Sequence, residues 1–468
     1  MRTKHINLIP TPKSLKAEGK EIVIQAAVYS DSFLQDVDTF ASLAEKIFCV
    51  SISIGPGGIL LLVDSSLEIG EYRIECIQDK VIAYAAEREG ARYALATLMQ
   101  LIHIKDGMFV MPSVSIKDRP DCDFRALMID LARKWHPFPT LLEYIDLCWF
   151  YKIRYLHLHF VDNQSYTLPS EHFPALPTKE RSYTFDEIKE LNSYAESRGV
   201  ELIPEIEVPG HAKAIILAYP DLFGHTGDAL AAACNGVVCV GKKGIMDTLS
   251  CMTDEVISLF PNSRYFHIGG DEAAISAWDT CDDCKAYMNE HSISGVYALY
   301  TDFVKKMTDL VLAKGKTPIV WEGFPKEGAE KLSRDIIVSV FESRYHISPE
   351  LLDEGFKMIN ASWQPLYIVP TRHWTPEEIY EWNVFRWQNW WSESKAYDKP
   401  IELSPNSFVL GGELCAWECT YEQEIGVVRE NLAALAERTW NISPLISTED
   451  FRVSLDFFIP LTAKLQHD

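Results

Sequence analysis

Two adjacent carboxylates, Asp271 and Glu272, follow the apolar run Tyr265-Phe266-His267-Ile268 and the glycine pair Gly269-Gly270. Acids that share one site push one pKa up, and a carboxylic acid kept protonated near neutrality can serve as a general acid. In a regular strand the two side chains would point to opposite faces; a Gly-Gly distortion just before them allows both to be aimed into one pocket. The plainer alternative is a glycine-rich turn leading into an acidic helix N-terminus, where the helix dipole favours Asp and Glu. Further polar residues recur at the ends of apolar runs: Asp130, Asp162, Glu205, Glu207, His211, Trp321, Glu322, Glu413 and Trp417. Few plain structural edges stack acids and aromatics this consistently.

The elements that must position these residues alternate strand and helix. Strand-like runs are expected at Phe124 to Ile129, Tyr155 to Phe160, Glu201 to Ile206, Tyr265 to Ile268, Thr317 to Trp321, Ile336 to Val340, Lys357 to Ala361 and Phe408 to Leu414. Helical spacing of apolar residues falls between them at Thr140 to Phe150, Phe185 to Arg198, Met246 to Leu259, Gly295 to Ala313 and Glu422 to Trp440. Eight such units argue for an α/β fold, a (β/α)8 TIM barrel, in which reactive groups gather at the C-terminal ends of the strands. Before the barrel, residues 1–118 read as a small α+β domain with strands near Ile22 to Tyr29, Ile59 to Val63, Tyr72 to Cys76 and Val81 to Ala85, and helices near Asp36 to Phe48 and Glu87 to His103. The catalytic domain is then 119–468, with Pro120 and the charges around it interrupting the pattern at the boundary. The tryptophan-rich stretch from Trp363 to Asn406 reads as an elaborated loop over the barrel mouth.

Composition removes several classes of function. A net charge of −23 argues against nucleic acid or an anionic membrane surface as partner. No apolar run reaches the ~18 residues that would span a bilayer. The start, Met1-Arg2-Thr3-Lys4-His5, lacks the pattern of a secretory leader, so the expected location is the cytoplasm, or a secreted form if a leader was trimmed away. Eleven cysteines, an odd number, read as reduced thiols and mostly small core residues. Cys281-Asp282-Asp283-Cys284 is a metal-like or redox-like spacing with no second Cys-x-x-Cys beside it, and neither a metal nor a cofactor is expected. A homodimer is left open.

Four stretches carry a resemblance. Phe124-Arg125-Ala126, the run Leu156-His157-Leu158-His159-Phe160-Val161-Asp162-Asn163-Gln164, the run Pro204-Glu205-Ile206-Glu207-Val208-Pro209-Gly210-His211-Ala212 and His267-Ile268-Gly269-Gly270-Asp271-Glu272 are similar, in order and spacing, to glycoside hydrolase family 20, the β-N-acetylhexosaminidases. Leu8-Ile9-Pro10-Thr11-Pro12 looks like the start of that family's non-catalytic N-terminal domain. The resemblance implies a retaining exo-hydrolase of terminal β-linked N-acetylhexosamine on a glycan or amino-sugar oligosaccharide, working by substrate assistance. It implies Glu272 as general acid and base, and Asp271 as orienter of the 2-acetamido group and stabiliser of the oxazolinium. Tyr367 would hold the acetamido oxygen, and Trp321, Trp417 and one of Trp363, Trp387 or Trp390 would wall the pocket. Arg125 would grip sugar hydroxyls, Asp162 and His211 would contact or support the sugar, and Glu207 and His267 would stand behind the pair. Trp278 reads as core.

The chain departs from the family pattern at Tyr367-Ile368-Val369 and Trp417-Glu418-Cys419, where acids that grip the far hydroxyls are expected. Glu413, Glu418 or a loop residue would have to substitute, and the preferred sugar is open. Two other readings compete: a metal-dependent hydrolase built on His157-x-His159, which resembles the metal pair of amidohydrolase barrels, and a sugar-binding relative without activity.

Overall fold

The computed structural model describes residues 6–78, 80–226 and 236–467. In the N-terminal region one mixed sheet runs in the order Ser14–Ile24, Met108–Asp118, Tyr72–Ile77, Lys80–Ala85, Ile59–Val63, Ala27–Tyr29, Ser53–Ile54. Helices Leu34–Phe48 and Arg88–Leu101 pack against it and against each other. The expected strand at Ile22 to Tyr29 is two strands, and the first of them pairs with the long Met108–Asp118, which lacks a clean alternation and was not anticipated.

Eight parallel strands then close on themselves: β1 (Phe124–Asp130), β2 (Tyr155–His159), β3 (Glu201–Glu205), β4 (Tyr265–His267), β5 (Thr317–Trp321), β6 (Ile337–Val340), β7 (Lys357–Asn360) and β8 (Val409–Ala416). Closure comes from β7 pairing with β8 and β8 with β1, which makes this a (β/α)8 barrel. The expected strands agree to within two residues at each end. The helices form where sequence punctuation allows. Phe185–Arg198 starts at a Thr184/Glu187 capping box and stops at Gly199, whose φ of +66° is cheap only for glycine. A last helix, Thr448–Thr462, was not foreseen; it packs against the helices Pro376–Glu381 and Tyr421–Trp440, and just beyond it Lys464 Nζ reaches the Ile47 carbonyl at 2.7 Å. Among the described residues no helix is long and apolar enough to cross a membrane.

Strand alternation sorts the barrel interior into layers. At the base lie Phe124, Ala126, Tyr155, Ile203, Ile319, Ile337 and Ile359. Above them come the ionisable groups His157, His159, Glu205, His267 and Glu413, all buried. Nearest the mouth are Met128, Trp321, Phe341, Ala361, Tyr367, Cys415 and Trp417. In β8 the alternation depends on a register shift: Met358 faces Val409, but Ile359 faces Gly411. A side chain at Gly411 would meet the Phe124 carbonyl oxygen at 1.7 Å, so only glycine permits the shift that turns Glu413, Cys415 and Trp417 inward.

Candidate active site

The turn after β4 is built by backbone conformations that glycine supplies. Gly269 and Gly270 have φ of +69° and +94°, and a side chain on Gly269 would collide with the Glu207 carboxylate at 1.8 Å. The Gly270 N–H donates to Glu207 Oε1 at 2.8 Å, the Gly269 carbonyl accepts from Trp321 N at 2.8 Å, and the Gly270 carbonyl accepts from the Tyr300 hydroxyl. Glu272 itself has φ of +42°, an uncommon conformation for a side-chain-bearing residue that the surrounding bonds hold in place. Asp271 and Glu272 consequently approach one nitrogen, His211 Nε2, at 4.0 and 3.3 Å. No helix starts at these residues, so the acidic helix-terminus alternative does not hold.

His211 is the hub of a charge network. Its Nδ1 lies 3.5 Å from Asp162 and 3.4 Å from Arg133, and Arg133 pairs with Asp162 at 2.8 Å. Burial opposes a charged imidazole, but the Asp162 and Glu272 carboxylates push His211 up to about 10. Asp162 is fully buried; burial is outweighed by His159, His211 and Arg133, which hold it well below the usual carboxylate range. Asp271 is raised to about 6, first by burial and then by the Glu272 charge. Glu272 is lowered, chiefly by its hydrogen bond to His211. Glu207 is pushed well up by burial and by the Asp271 charge. Glu342, at the end of β6, is raised to about 9 by burial and by Glu272 beside it. Glu272 and Glu342 therefore hold one proton between them over the neutral range.

An aromatic wall closes the other side. Trp321 lies 5.9 Å from Trp417, Trp417 6.1 Å from Tyr367, Tyr367 5.9 Å from Trp363, and Trp363 5.1 Å from Trp390, centroid to centroid. Tyr367 is carried there by a two-residue strand, Tyr367–Ile368, paired with the end of β8. Of the three tryptophans offered for this wall, Trp363 and Trp390 join it, whereas Trp387 is fully buried elsewhere in the core. The Arg133 guanidinium sits 4.8 Å over the Trp417 ring. The Glu418 side chain, more than half exposed, lies 4.0 Å from Arg133.

Two residues expected to touch the sugar lie elsewhere. Arg125 is at the start of β1, on the outward-facing parity, at the opposite end of the barrel; it donates to the Cys122 and Lys152 carbonyls at 2.6 and 3.1 Å and to the Tyr93 hydroxyl. Asp130, at the other end of the same strand, pairs with Arg133 at 3.4 Å. Glu413 is buried below the wall on His157 Nδ1 at 3.1 Å, out of reach of the mouth. His267, also beneath, lies 3.0 Å from Glu205, and burial holds it below the ordinary histidine value. Glu205 ties the middle layer together, meeting His157, His159 and His267 and accepting from Trp321 Nε1 at 2.6 Å. His157 and His159 are thus each engaged by carboxylates. Glu322 is a loop anchor, accepting the Ser343, Arg344 and Tyr345 N–H groups. Trp278 is core, with Nε1 donating to the Val238 carbonyl at 2.9 Å.

Sequence reasoning missed Arg133 and Glu342. Both signals were present: Arg133 follows the C-terminal end of β1, and Glu342 follows that of β6, where a barrel displays its reactive groups.

The profile "Glycosyl hydrolase family 20, catalytic domain" matches residues 122–443, more than half of the chain. The beta-hexosaminidase of Porphyromonas gingivalis is 28% identical over 354 residues, which are 68% of this chain and 45% of that protein. That of Akkermansia muciniphila is 32% identical over 276 residues, 55% of this chain and 56% of its own length. The chain thus spans about half the length of these relatives. Among solved structures, the exo beta-N-acetylglucosaminidase of Vibrio harveyi in complex with N-acetylglucosamine superposes with a TM-score of 0.83 at 21% identity, covering 98% of this chain and 77% of that one. The beta-N-acetylhexosaminidase of Bacteroides fragilis gives 0.82 at 22% identity over 99% and 96%. The structures at that identity establish a shared fold; the profile match, which runs through the barrel and its acid pair, goes further and establishes that this chain belongs to glycosyl hydrolase family 20.

Proposed function

We propose that this protein is a retaining exo-β-N-acetylhexosaminidase that hydrolyses terminal, non-reducing β-linked N-acetylhexosamine through an oxazolinium intermediate. The observation that carries the reading is that Asp271 and Glu272 both lie within 4.0 Å of one His211 nitrogen. Carboxylates that close together stand on one side of a sugar ring and cannot be the acid and nucleophile that flank a glycosidic bond. The substrate's own 2-acetamido oxygen then attacks the anomeric carbon as the bond to the leaving oxygen breaks.

In this mechanism the proton held between Glu272 and Glu342 goes to the leaving oxygen through Glu272, and the resulting carboxylate next removes a proton from the water that opens the ring. Asp271, ionised above about 6, orients the acetamido N–H and faces the positive charge of the oxazolinium. Tyr367 holds the acetamido oxygen against the Trp321 and Trp417 faces. Arg133 takes the place assigned from sequence to Arg125: its fork lies at the mouth beside Trp417, suited to sugar hydroxyls, with Glu418 next to it.

The test is a comparison of aryl β-N-acetylglucosaminide and aryl β-N-acetylgalactosaminide with aryl β-glucoside and β-galactoside. Sugars without the acetamido group lack the nucleophile and should be nearly inert; comparable turnover of glucoside and N-acetylglucosaminide would sink the mechanism.

A further inference from the structure

Three sulfurs and an imidazole converge outside the sugar site, from loops that follow two neighbouring barrel strands. His225 and Cys239 lie in the segment after β3; Cys281 and Cys284 lie after β4. Cys239 Sγ is 3.4 Å from Cys281 Sγ and 3.7 Å from Cys284 Sγ, and the four ligand atoms all lie within 4.8 Å of one another. All four residues are buried. Cys281 precedes the helix Asp282–Glu290 and Cys284 sits in its first turn, so their three-residue spacing puts both sulfurs on one side.

From this convergence we infer that His225, Cys239, Cys281 and Cys284 form a structural zinc site of the Cys3His type. Two sulfurs on one tetrahedral zinc, each about 2.3 Å from the ion, stand about 3.8 Å apart, close to the separations seen here. A disulfide needs about 2.05 Å, and it would leave the third thiol and the imidazole unaccounted for. The histidine is set for ligation. Its Nε2 lies 2.7 Å from the Val237 carbonyl, which can only accept, so Nε2 carries the proton and Nδ1 presents a lone pair. That Nδ1 is buried without a hydrogen-bond partner among the described residues. Three thiolates with one imidazole fill four positions and leave none open, as a structural rather than a catalytic zinc requires. The start of the Asp282–Glu290 helix lies against Cys281, where its dipole favours a thiolate.

The site would clasp the two loops that carry the acid pair and its hub. Val238, beside Cys239, donates to the Pro209 carbonyl at 2.8 Å and accepts from Trp278, which lies between Glu272 and Cys281. Ala212, next to His211, donates to the Gly236 carbonyl at 2.8 Å. Sequence spacing shows only the Cys-x-x-Cys half; the other two ligands belong to a different loop.

The experiment needs no hydrolytic assay. The full chain, purified under reducing conditions without added chelator, should hold about one zinc per molecule by elemental analysis, and its zinc absorption edge should fit three sulfurs at about 2.3 Å and one nitrogen at about 2.0 Å. Cys284→Ser should reduce zinc content several-fold and lower Tm, whereas Cys251→Ser, a half-buried cysteine outside the cluster, should keep both. If Cys284→Ser does not fold, the wild-type content and spectrum decide alone. Wild-type protein that stays free of zinc after supplementation, a shell of oxygen and nitrogen only, or a Cys239–Cys281 disulfide in the unreduced peptide map would each overturn the site.

Discussion

The two ends of the barrel each hold a fully or mostly buried arginine, and they treat it differently. At the base, Arg125 spends its donors on two carbonyls and a tyrosine hydroxyl and lies 5.3 Å from both the Tyr93 and the Trp440 rings. Beside it the buried Lys152 reaches the Tyr72 hydroxyl at 2.9 Å and Asp118 at 3.6 Å, and Trp440 Nε1 donates to Asp118 at 2.9 Å. At the mouth, Arg133 also pairs with carboxylates, but around it Asp271 Oδ1, Trp417 Nε1 and Glu207 Oε2 are buried with no hydrogen-bond partner among the described residues. A buried polar group without a partner costs roughly 1–3 kcal/mol, so such groups are kept where a ligand can satisfy them. Matched polar groups make the base a joint; unmatched ones make the mouth a receptor.

The largest contrast is expected at the mouth. Glu272→Gln removes the transferable proton and should slow cleavage of a poor leaving group by about 10²-fold or more, while a leaving group that departs unprotonated suffers far less in the first step. Asp271→Asn should slow both alike, because it removes the charge facing the oxazolinium. Near wild-type rates in both variants, measured over an aryl leaving-group series, would mean that the acid pair is not the centre of the site.

The arginine pair sharpens the comparison directly. Arg133→Lys keeps the charge but loses the planar fork, and should lower kcat/KM by about 10-fold with Tm changed by no more than a few degrees. Arg125→Lys leaves buried carbonyls and the Tyr93 hydroxyl short of donors, and should lower Tm by about 5 °C or more with kcat/KM of the folded protein near wild type. The reverse outcome, read from parallel thermal melts and steady-state kinetics, would return Arg125 to the sugar site.

A smaller effect should appear in the pH profile. Activity needs Asp271 ionised and one proton on the Glu272–Glu342 pair, so kcat/KM should be bell-shaped, rising through about 6 and falling through about 9. Glu342→Gln deprives Glu272 of its shared proton, and the alkaline limb should move to lower pH. Stability carries the matching sign. The folded-state value of Glu342 is raised, so its contribution is full below the unfolded value of about 4.3 and is lost as pH rises through about 9. The Tm of Glu342→Gln should accordingly fall less than that of wild type from pH 5 to pH 9. Identical pH profiles for the two proteins would separate Glu342 from the acid.

What the sequence showed follows the same division. Strands announced themselves because their outward faces are apolar and their ends polar, and the Gly-Gly-Asp-Glu run was legible because glycine and adjacent acids are rare together for any other reason. Arg125 was misplaced for want of one physical step: a residue at the start of a barrel strand lies at the base, and alternation from Phe124 and Ala126 turns it outward. The same step would have selected Arg133. Glu413 was misjudged in height and not in direction: it faces inward as expected, but it sits on His157 in the layer beneath the aromatic wall, a depth that sequence alone does not reveal. Cys239 and His225 are separated from Cys281 by a barrel strand and a helix, so only the folded chain sets them beside it.

The layered interior has a mechanical consequence. Between the apolar base and the aromatic wall, His157, His159, Glu205, His267 and Glu413 lock the strands to one another by interactions that lose their geometry if any strand slides. The floor beneath the sugar is therefore an anvil, and movement on ligand entry falls to what overhangs it: the segment from Trp363 to the Arg386–Trp387 and Ile401–Glu402 hairpin, and the turn at Glu418. Amide hydrogen exchange should slow in those overhanging segments when a sugar binds and stay unchanged along β2 and β3.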